Sequence, residues 1–170
     1  VGRYKIGTTA RQITPRALGT QNNNWSNQTS ASRGGFDAEI TELSNLRGDI
    51  KTRTIFKPTN GSSLPDLKLH WDADRILFSM VDTDKRWQVF EVGVDGKGLR
   101  KMIPDLEPDL EFFDATYLPS GKMIAVSNIG YNGVPCVNGM MKSAICVCMI
   151  RKTTLCVVLL LIRMLTGHRQ

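Results

Sequence analysis

Three side chains that can bind metal ions alternate along one short stretch of the chain, at His70, Asp72 and Asp74. Imidazole nitrogens and carboxylate oxygens are common ligands of divalent metals. The same string also arises where alternate residues of a strand run into a tight turn. We interpret the three residues as a strand end and its turn. The sequence therefore predicts no catalytic, cofactor-binding or metal-binding residue.

The stretch around His70, residues 64–104, predicts four short strands. Apolar residues in it alternate with polar ones or form compact runs, and polar turns separate the runs. One turn is Asp95-Gly96, and Asp-Gly between two such runs is a strong hairpin signal, because its turn needs φ > 0. We predict a four-stranded antiparallel meander.

A second copy of the pattern follows at a constant offset. Asp114 aligns with Asp66, an offset of 48 positions (114 − 66), and Ser127 aligns with Ser79. Four-stranded repeats of this length are typical of β-propellers. We predict an all-β fold, an incomplete β-propeller of four-stranded antiparallel blades. A closed ring needs at least about four blades of about 40–50 residues, so we interpret this 170-residue chain, which starts at Val1, as part of a longer protein.

Asp66 and Asp114 precede the first strand of each repeat. In one interpretation they lie at the mouth of the axial channel and bind metal or substrate. In the other, their carboxylates accept backbone hydrogen bonds in the turn between blades. Recurrence in each repeat favours the structural role. Asp66, Asp114 and His70 remain the candidate contacts for a ligand at the end of the channel.

Several segments resemble a known family. Residues 71–79 and 118–124 resemble the Ser-Pro-Asp-Gly-Lys-x-Ile-x-Phe-Ser signature of TolB-like (WD40-like) propeller blades, although Ala73 and Asp74 replace the usual Asp-Gly. Residues 94–102 resemble the end of the same repeat. Residues 114–121 and 133–136 are similar to the propeller of hydrazine synthase alpha subunit-like proteins. The resemblance covers about residues 36–139.

The blade resemblance, together with the lack of a catalytic constellation in these residues, favours a non-catalytic scaffold that binds a protein partner or a small ligand at its blade ends. One alternative is the propeller of a multihaem oxidoreductase of the hydrazine synthase alpha type. Its c-type haem would attach through Cys-x-x-Cys-His, a motif that is absent from this sequence. A second alternative is a TolB-like lyase acting on acidic sugars, whose channel histidines and metal we do not find. The family also implies an extracytoplasmic location, periplasmic or secreted.

The domain organisation follows from these patterns. We predict a polar N-terminal coil over residues 1–35 and a partial propeller over 36–139. The propeller part holds the end of one blade, a full blade over 64–104 and the start of a third over 112–139. In the end of the first blade, Arg47-Gly48-Asp49 matches the integrin tripeptide, but a hairpin turn uses Gly-Asp for its geometry alone. We interpret it as a turn.

The net charge of +6 does not indicate a nucleic-acid partner. Residues 140–170 hold five basic residues and no acidic ones, which leaves 17 basic (22 − 5) and 16 acidic residues before them. A nucleic-acid interface would instead gather the basic residues on one folded face. The excess charge belongs to the tail.

The tail, residues 140–170, differs from the rest of the chain. Its apolar run over 155–162 is bounded by Arg151, Lys152 and Arg163, and it is far shorter than the about 20 residues of a membrane span. Our hypothesis is that the tail is out of frame from about Met140. The neighbouring frame can supply the missing outer strand with its Leu-Thr ending, and then Asp-Ala-Asn-Trp-Pro-Pro-Ser, the opening of another blade.

Overall fold

The computed structural model describes residues 2–6, 33–130, 145–149 and 156–158, with side chains described for 33–130 and 145–147. These residues form antiparallel strands and contain no helix. The strands are β1 Gly2–Ile6, β2 Phe36–Ser44, β3 Lys51–Phe56, β4 Lys68–Leu69, β5 Arg75–Val81, β6 Trp87–Gly93, β7 Arg100–Lys101, β8 Phe112–Tyr117, β9 Met123–Ser127, β10 Ile145–Met149 and β11 Cys156–Val158. The all-β prediction is confirmed for this part of the chain.

The strands form three sheets. The first sheet has the order β1-β2-β3, the central sheet β4-β5-β6-β7, and the third sheet β11-β10-β9-β8. The central sheet is the four-stranded meander predicted over 64–104. Its Asp95-Gly96 turn has Gly96 at a φ of 83°. A Cβ at Gly96 would lie 2.6 Å from the carbonyl oxygen of Ile55, so the turn packs directly against β3.

The central sheet buries both of its faces, because successive side chains of a strand point to opposite sides. On one face, Phe78 of β5 and Val92 of β6 pack against Ile40 of the first sheet. On the other face, Leu77 and Val89 pack against the third sheet, in a cluster with Phe112, Ala125 and Val147. The three sheets therefore stack face to face, with a hydrophobic core in each of the two gaps.

The third sheet repeats the central one with one difference. The N–H of His70 donates to the carbonyl oxygen of Arg75, and the N–H of Leu118 donates to that of Lys122. The offset is thus 48 positions before the turn (118 − 70) but 47 after it (122 − 75). The constant offset of 48 was wrong for the second strand, because the β8–β9 turn is one residue shorter than the β4–β5 turn. Ser79 and Ser127 are therefore not structural equivalents.

The predicted N-terminal coil also needs correction. The N-terminal coil predicted over 1–35 contains β1, which pairs with β2 over the five residues Gly2–Ile6. The sequence signal for β2 and β3 did not show that a third strand was needed to pair with the free edge of β2. Residues 7–32 and 131–144 lie outside the described part of the chain, so Gly133 and Cys136 do too.

The tail contributes two strands to the third sheet. Strand β10 pairs with β9, and β11 pairs with β10. Val147 is fully buried in the core cluster between the central and third sheets, while its neighbour Cys146 is exposed. The start of the tail thus has a packing partner, which the sequence did not lead us to expect. Among the described residues there is no helix that is long and apolar enough to cross a membrane.

Burial of Val147 gives a direct test of β10. We expect Val147→Ala to lower the free energy of unfolding by about 2 kcal/mol, from the lost methyl groups and the cavity they leave. Cys146→Ala, on the exposed side of the same strand, should change it by less than about 0.5 kcal/mol. Urea denaturation followed by circular dichroism measures both. Equal stability of the two variants would show that β10 does not pack in the core.

Candidate functional site

Asp66 and Asp114 are brought together through the hydroxyl group of Ser79. The Ser79 Oγ donates to Asp66 Oδ2 at 3.0 Å and accepts from the backbone N–H of Asp114 at 3.0 Å. Ser79 is fully buried on β5, on the face that packs against the third sheet. The hydroxyl therefore links the segment before β4 to strand β8 of the neighbouring sheet.

The backbone shapes this link at both aspartates. Asp66 has a φ of 63° and Asp114 a φ of 45°, a region that few residues other than glycine adopt. Asp114 also lies in the irregular part of the β8–β9 pairing, between Phe113 and Thr116. Bulges of this kind redirect side chains. The Asp114 carboxylate is 54% exposed and lies 3.9 Å from the ammonium group of Lys68.

His70 belongs to a different group, at the opposite end of β4. Its Nε2 lies 2.6 Å from a guanidinium nitrogen of Arg75, which can only donate. In the neutral ring Nδ1 then carries the proton, and it faces the carboxylates of Asp72 and Asp74 at 3.3 and 3.5 Å. The backbone N–H of Asp72, 3.2 Å from the same Nδ1, has no acceptor there in this tautomer. Backbone hydrogen bonds close the β4–β5 turn, from the N–H of His70 to the carbonyl oxygen of Arg75 and from the N–H of Ala73 to that of His70.

The side chains of His70, Asp72 and Asp74 offer ligand atoms that lie within 4.8 Å of one another. A metal ion on Nδ1 would require that nitrogen to lose its proton. The proton would then sit on Nε2, facing the N–H groups of Arg75. Arg75 also holds Asp74 at 2.7 Å. Arg75 thus already engages the other ring nitrogen of His70 and the carboxylate of Asp74, and this arrangement favours an ion cluster at the turn over a metal site.

A buried carboxylate extends this cluster toward the outer strands. Glu91 of β6 accepts hydrogen bonds from Nε of Arg100 at 2.9 Å and from the hydroxyl group of Tyr117 at 2.9 Å. Nε of Arg75 lies 3.6 Å from it. The ring of Tyr117 also meets the His70 ring edge-on, with centroids 4.7 Å apart. Burial, together with the hydrogen bond to Glu91, raises the pKa of Tyr117 above its usual value.

A cavity of about 840 Å³ opens at the other end of the central sheet, beside the β5–β6 turn. Its apolar wall includes Phe56, Met80, Phe90 and Leu99. Its polar wall is an ion cluster in which Arg86 and Lys101 pair with Asp82 and Asp105. The hydrogen bond from Lys101, aided by Arg86, lowers the pKa of Asp105. Asp66, His70 and Asp114 do not line this cavity.

Sequence reasoning missed Ser79, Arg75 and Glu91, the residues that connect the candidate side chains. Ser79 and Glu91 do carry a signal, since each is a polar residue between two apolar ones in a buried strand and so needs a buried partner. The partners themselves are distant in sequence, 26 positions in the case of Tyr117 and Glu91. No spacing rule identifies such pairs.

No protein-family model matches the chain, and no curated protein matches it. Among solved structures, the chain is similar to the crystal structure of TolB from Acinetobacter baumannii, with a TM-score of 0.52 and 15% sequence identity. The similarity covers 72% of this chain and 26% of the TolB chain, so this chain spans about a quarter of that protein. The likeness shows a TolB-like fold.

The link between the aspartates should contribute to stability. We expect Ser79→Ala to lower the free energy of unfolding by about 1–3 kcal/mol, because the N–H of Asp114 and the carboxylate of Asp66 lose a buried partner. Ser120→Ala, in the exposed β8–β9 turn, is the control and should stay within about 0.5 kcal/mol. Urea denaturation measures both. A Ser79→Ala variant as stable as the control would contradict the link.

The raised pKa of Tyr117 predicts that the folded chain loses stability at alkaline pH. Its pKa is raised in the folded chain, so above about pH 10, the usual value for tyrosine, the unfolded chain ionises while the folded chain does not. Stability contributed by this group is present at neutral pH and falls as the pH rises. We expect Tyr117→Phe to show a shallower fall of the urea midpoint between neutral pH and about pH 11. Parallel curves for the two proteins would contradict this.

Proposed function

We propose that the chain is part of a β-propeller that serves as a non-catalytic scaffold and binds a protein partner or a small ligand at its blade ends. The stacking of the central sheet between two neighbours and the TolB-like fold support this proposal. In a propeller each sheet is one blade and covers the faces of the adjacent blades. The exposed turns are then the surfaces that a partner can reach.

One observation carries the non-catalytic part of the proposal. The candidate side chains are engaged in holding the fold, with Asp66 bonded to Ser79 and His70 bonded to Arg75. A general base needs a nucleophile or a substrate proton within hydrogen-bond reach. Arg75 donates to Nε2 of His70, the nitrogen whose lone pair would have to accept a proton if His70 were such a base. The group therefore suits a structural role.

The TolB-like fold further supports an extracytoplasmic location, periplasmic or secreted, for the chain. A propeller belonging to a multihaem oxidoreductase of the hydrazine synthase alpha type, with c-type haem bound outside these residues, is the competing proposal. A lyase on acidic sugars is a weaker one, because it would need a free channel histidine and His70 is bonded to Arg75.

We also propose that the reading frame departs near Cys148, within β10, and not near Met140. Val147 is fully buried in the core and pairs with Ala125 of β9, as expected for an in-frame strand. Residues 148–170 are those for which the neighbouring frame restores the features of an outer strand and a further blade. This placement keeps the start of the tail and replaces only its end.

Sequencing the gene across and beyond this region tests the proposed function. We expect an uninterrupted frame that reads Tyr-Asp-Pro-Lys-Asn-Asn from about Cys148 and continues into further four-stranded repeats, without Cys-x-x-Cys-His. Repeats alone would support the scaffold. Cys-x-x-Cys-His motifs in the same frame, with the absorbance of c-type haem in the expressed protein, would assign it to the oxidoreductase instead.

A further inference from the structure

The turn between β2 and β3, residues 45–50, forms an exposed hairpin tip whose composition its own geometry does not explain. We propose that this hairpin tip is a docking surface for a protein that reads Arg47 and Asp49 together. The partner site would offer a carboxylate to Arg47, a divalent cation to Asp49 and an apolar surface to the flanking residues. The docking surface rests on the proposed scaffold function, and it adds to that function a particular surface and the chemistry of the partner.

The turn is closed by Asn45 and Gly48. The N–H of Gly48 donates to the carbonyl oxygen of Asn45 at 3.0 Å, and Nδ2 of Asn45 donates to the carbonyl oxygen of Asp49 at 3.1 Å. A Cβ at Gly48 would lie 3.0 Å from Nδ2 of Asn45, so a larger residue there would push the Asn45 side chain back by a few tenths of an ångström. Geometry thus explains Asn45 and Gly48, but it makes no use of the side chains of Arg47 and Asp49.

The side chains of Arg47 and Asp49 are available to a partner. Both residues are exposed, and neither side chain forms an ion pair or a hydrogen bond within the described part of the chain. Elsewhere in the same sheet, exposed charges do pair, as Arg53 does with Glu42 and Lys57 with Asp37. The tip therefore presents a cation and an anion two positions apart, and neither is engaged by the described residues.

Two large apolar side chains flank the charged pair. Leu46 is 70% exposed and Ile50 is 57% exposed, which places them among the most exposed large hydrophobic residues described. Single exposed hydrophobic residues are normal on protein surfaces. Two of them on one turn, beside the two charges, form a compact amphipathic surface, and contact surfaces commonly combine such groups. Burying Leu46 and Ile50 against a partner would remove both from water.

The charges define the chemistry of the partner. A guanidinium group binds a carboxylate through two parallel hydrogen bonds, a geometry that lysine cannot reproduce. A carboxylate oxygen is a preferred ligand of hard divalent cations, which retain open positions when protein supplies few ligands. Arg-Gly-Asp on an exposed turn thus suits a receptor that carries a bound cation next to an acidic pocket. An anionic membrane is disfavoured, because Asp49 would face the like charge of its head groups.

A purified integrin ectodomain that binds Arg-Gly-Asp, loaded with Mn²⁺, serves as the probe in surface plasmon resonance against the immobilised 170-residue chain. We expect saturable binding that EDTA abolishes and that a linear Arg-Gly-Asp peptide competes away. Asp49→Glu should weaken it at least about tenfold, because the longer side chain displaces the carboxylate from the cation. Arg47→Lys should also weaken it, because lysine cannot form the paired hydrogen bonds.

Asp95→Glu, the same change in the exposed turn between β6 and β7, is the matched control and should bind like the unmodified chain. Circular dichroism of each variant verifies that the fold is retained. Absence of binding, binding that EDTA does not affect, or equal binding by Asp49→Glu would overturn the docking surface. Loss of binding in Leu46→Ser, with normal binding by both Asp49→Glu and Arg47→Lys, would assign a purely apolar contact and overturn it too. None of these outcomes affects the sequencing result that tests the scaffold.

Discussion

The structure depends on the burial of the central sheet between two others. Antiparallel sheets commonly leave one face to water, and their strands then alternate between apolar and polar residues. Strand β5 instead has six consecutive buried residues after Arg75. Both of its faces must be covered, so neither the first nor the third sheet can be removed without exposing core. The stack is therefore a cooperative unit of at least three sheets.

Because both faces of the central sheet are packed against other sheets, a polar group buried there needs a hydrogen-bond partner within the protein. Ser79 and Glu91 lie on the central sheet, and each is satisfied only by residues of other elements, Asp66 and Asp114 for the serine and Tyr117 with two arginines for the carboxylate. A buried group left without its partner costs more than the bond itself contributes. These bonds therefore fix how β8 sits against the central sheet, whereas the apolar contacts around them would tolerate a shift.

Much of this fold could be predicted from local pattern. The Asp95-Gly96 hairpin and the meander follow from signals within a few residues of one another, and the repeat follows from the similarity of two segments along the chain. The register of the second repeat could not be predicted in this way. Residues 118–122 have the composition of any polar turn, and that composition does not reveal that the turn is one residue shorter. Strand β1 and the core role of Val147 also escaped prediction, since each depends on pairing with a distant strand. The Glu91 group escaped for the same reason, while Asp66 and Asp114 could be singled out because they recur.

Turns are where this architecture can vary without losing its core. The β4–β5 turn holds Ala73 at a φ of 55°, where the equivalent position of the next repeat is Gly121. An L-residue in that conformation costs about 1–2 kcal/mol. The fold thus tolerates strained and unusual sequences at its hairpins as long as their internal bonds are made. Because both faces of the central sheet are packed against other sheets, binding residues can evolve in the exposed turns of this stack. The Arg47 and Asp49 side chains fit that description, because the turn that carries them closes without their help.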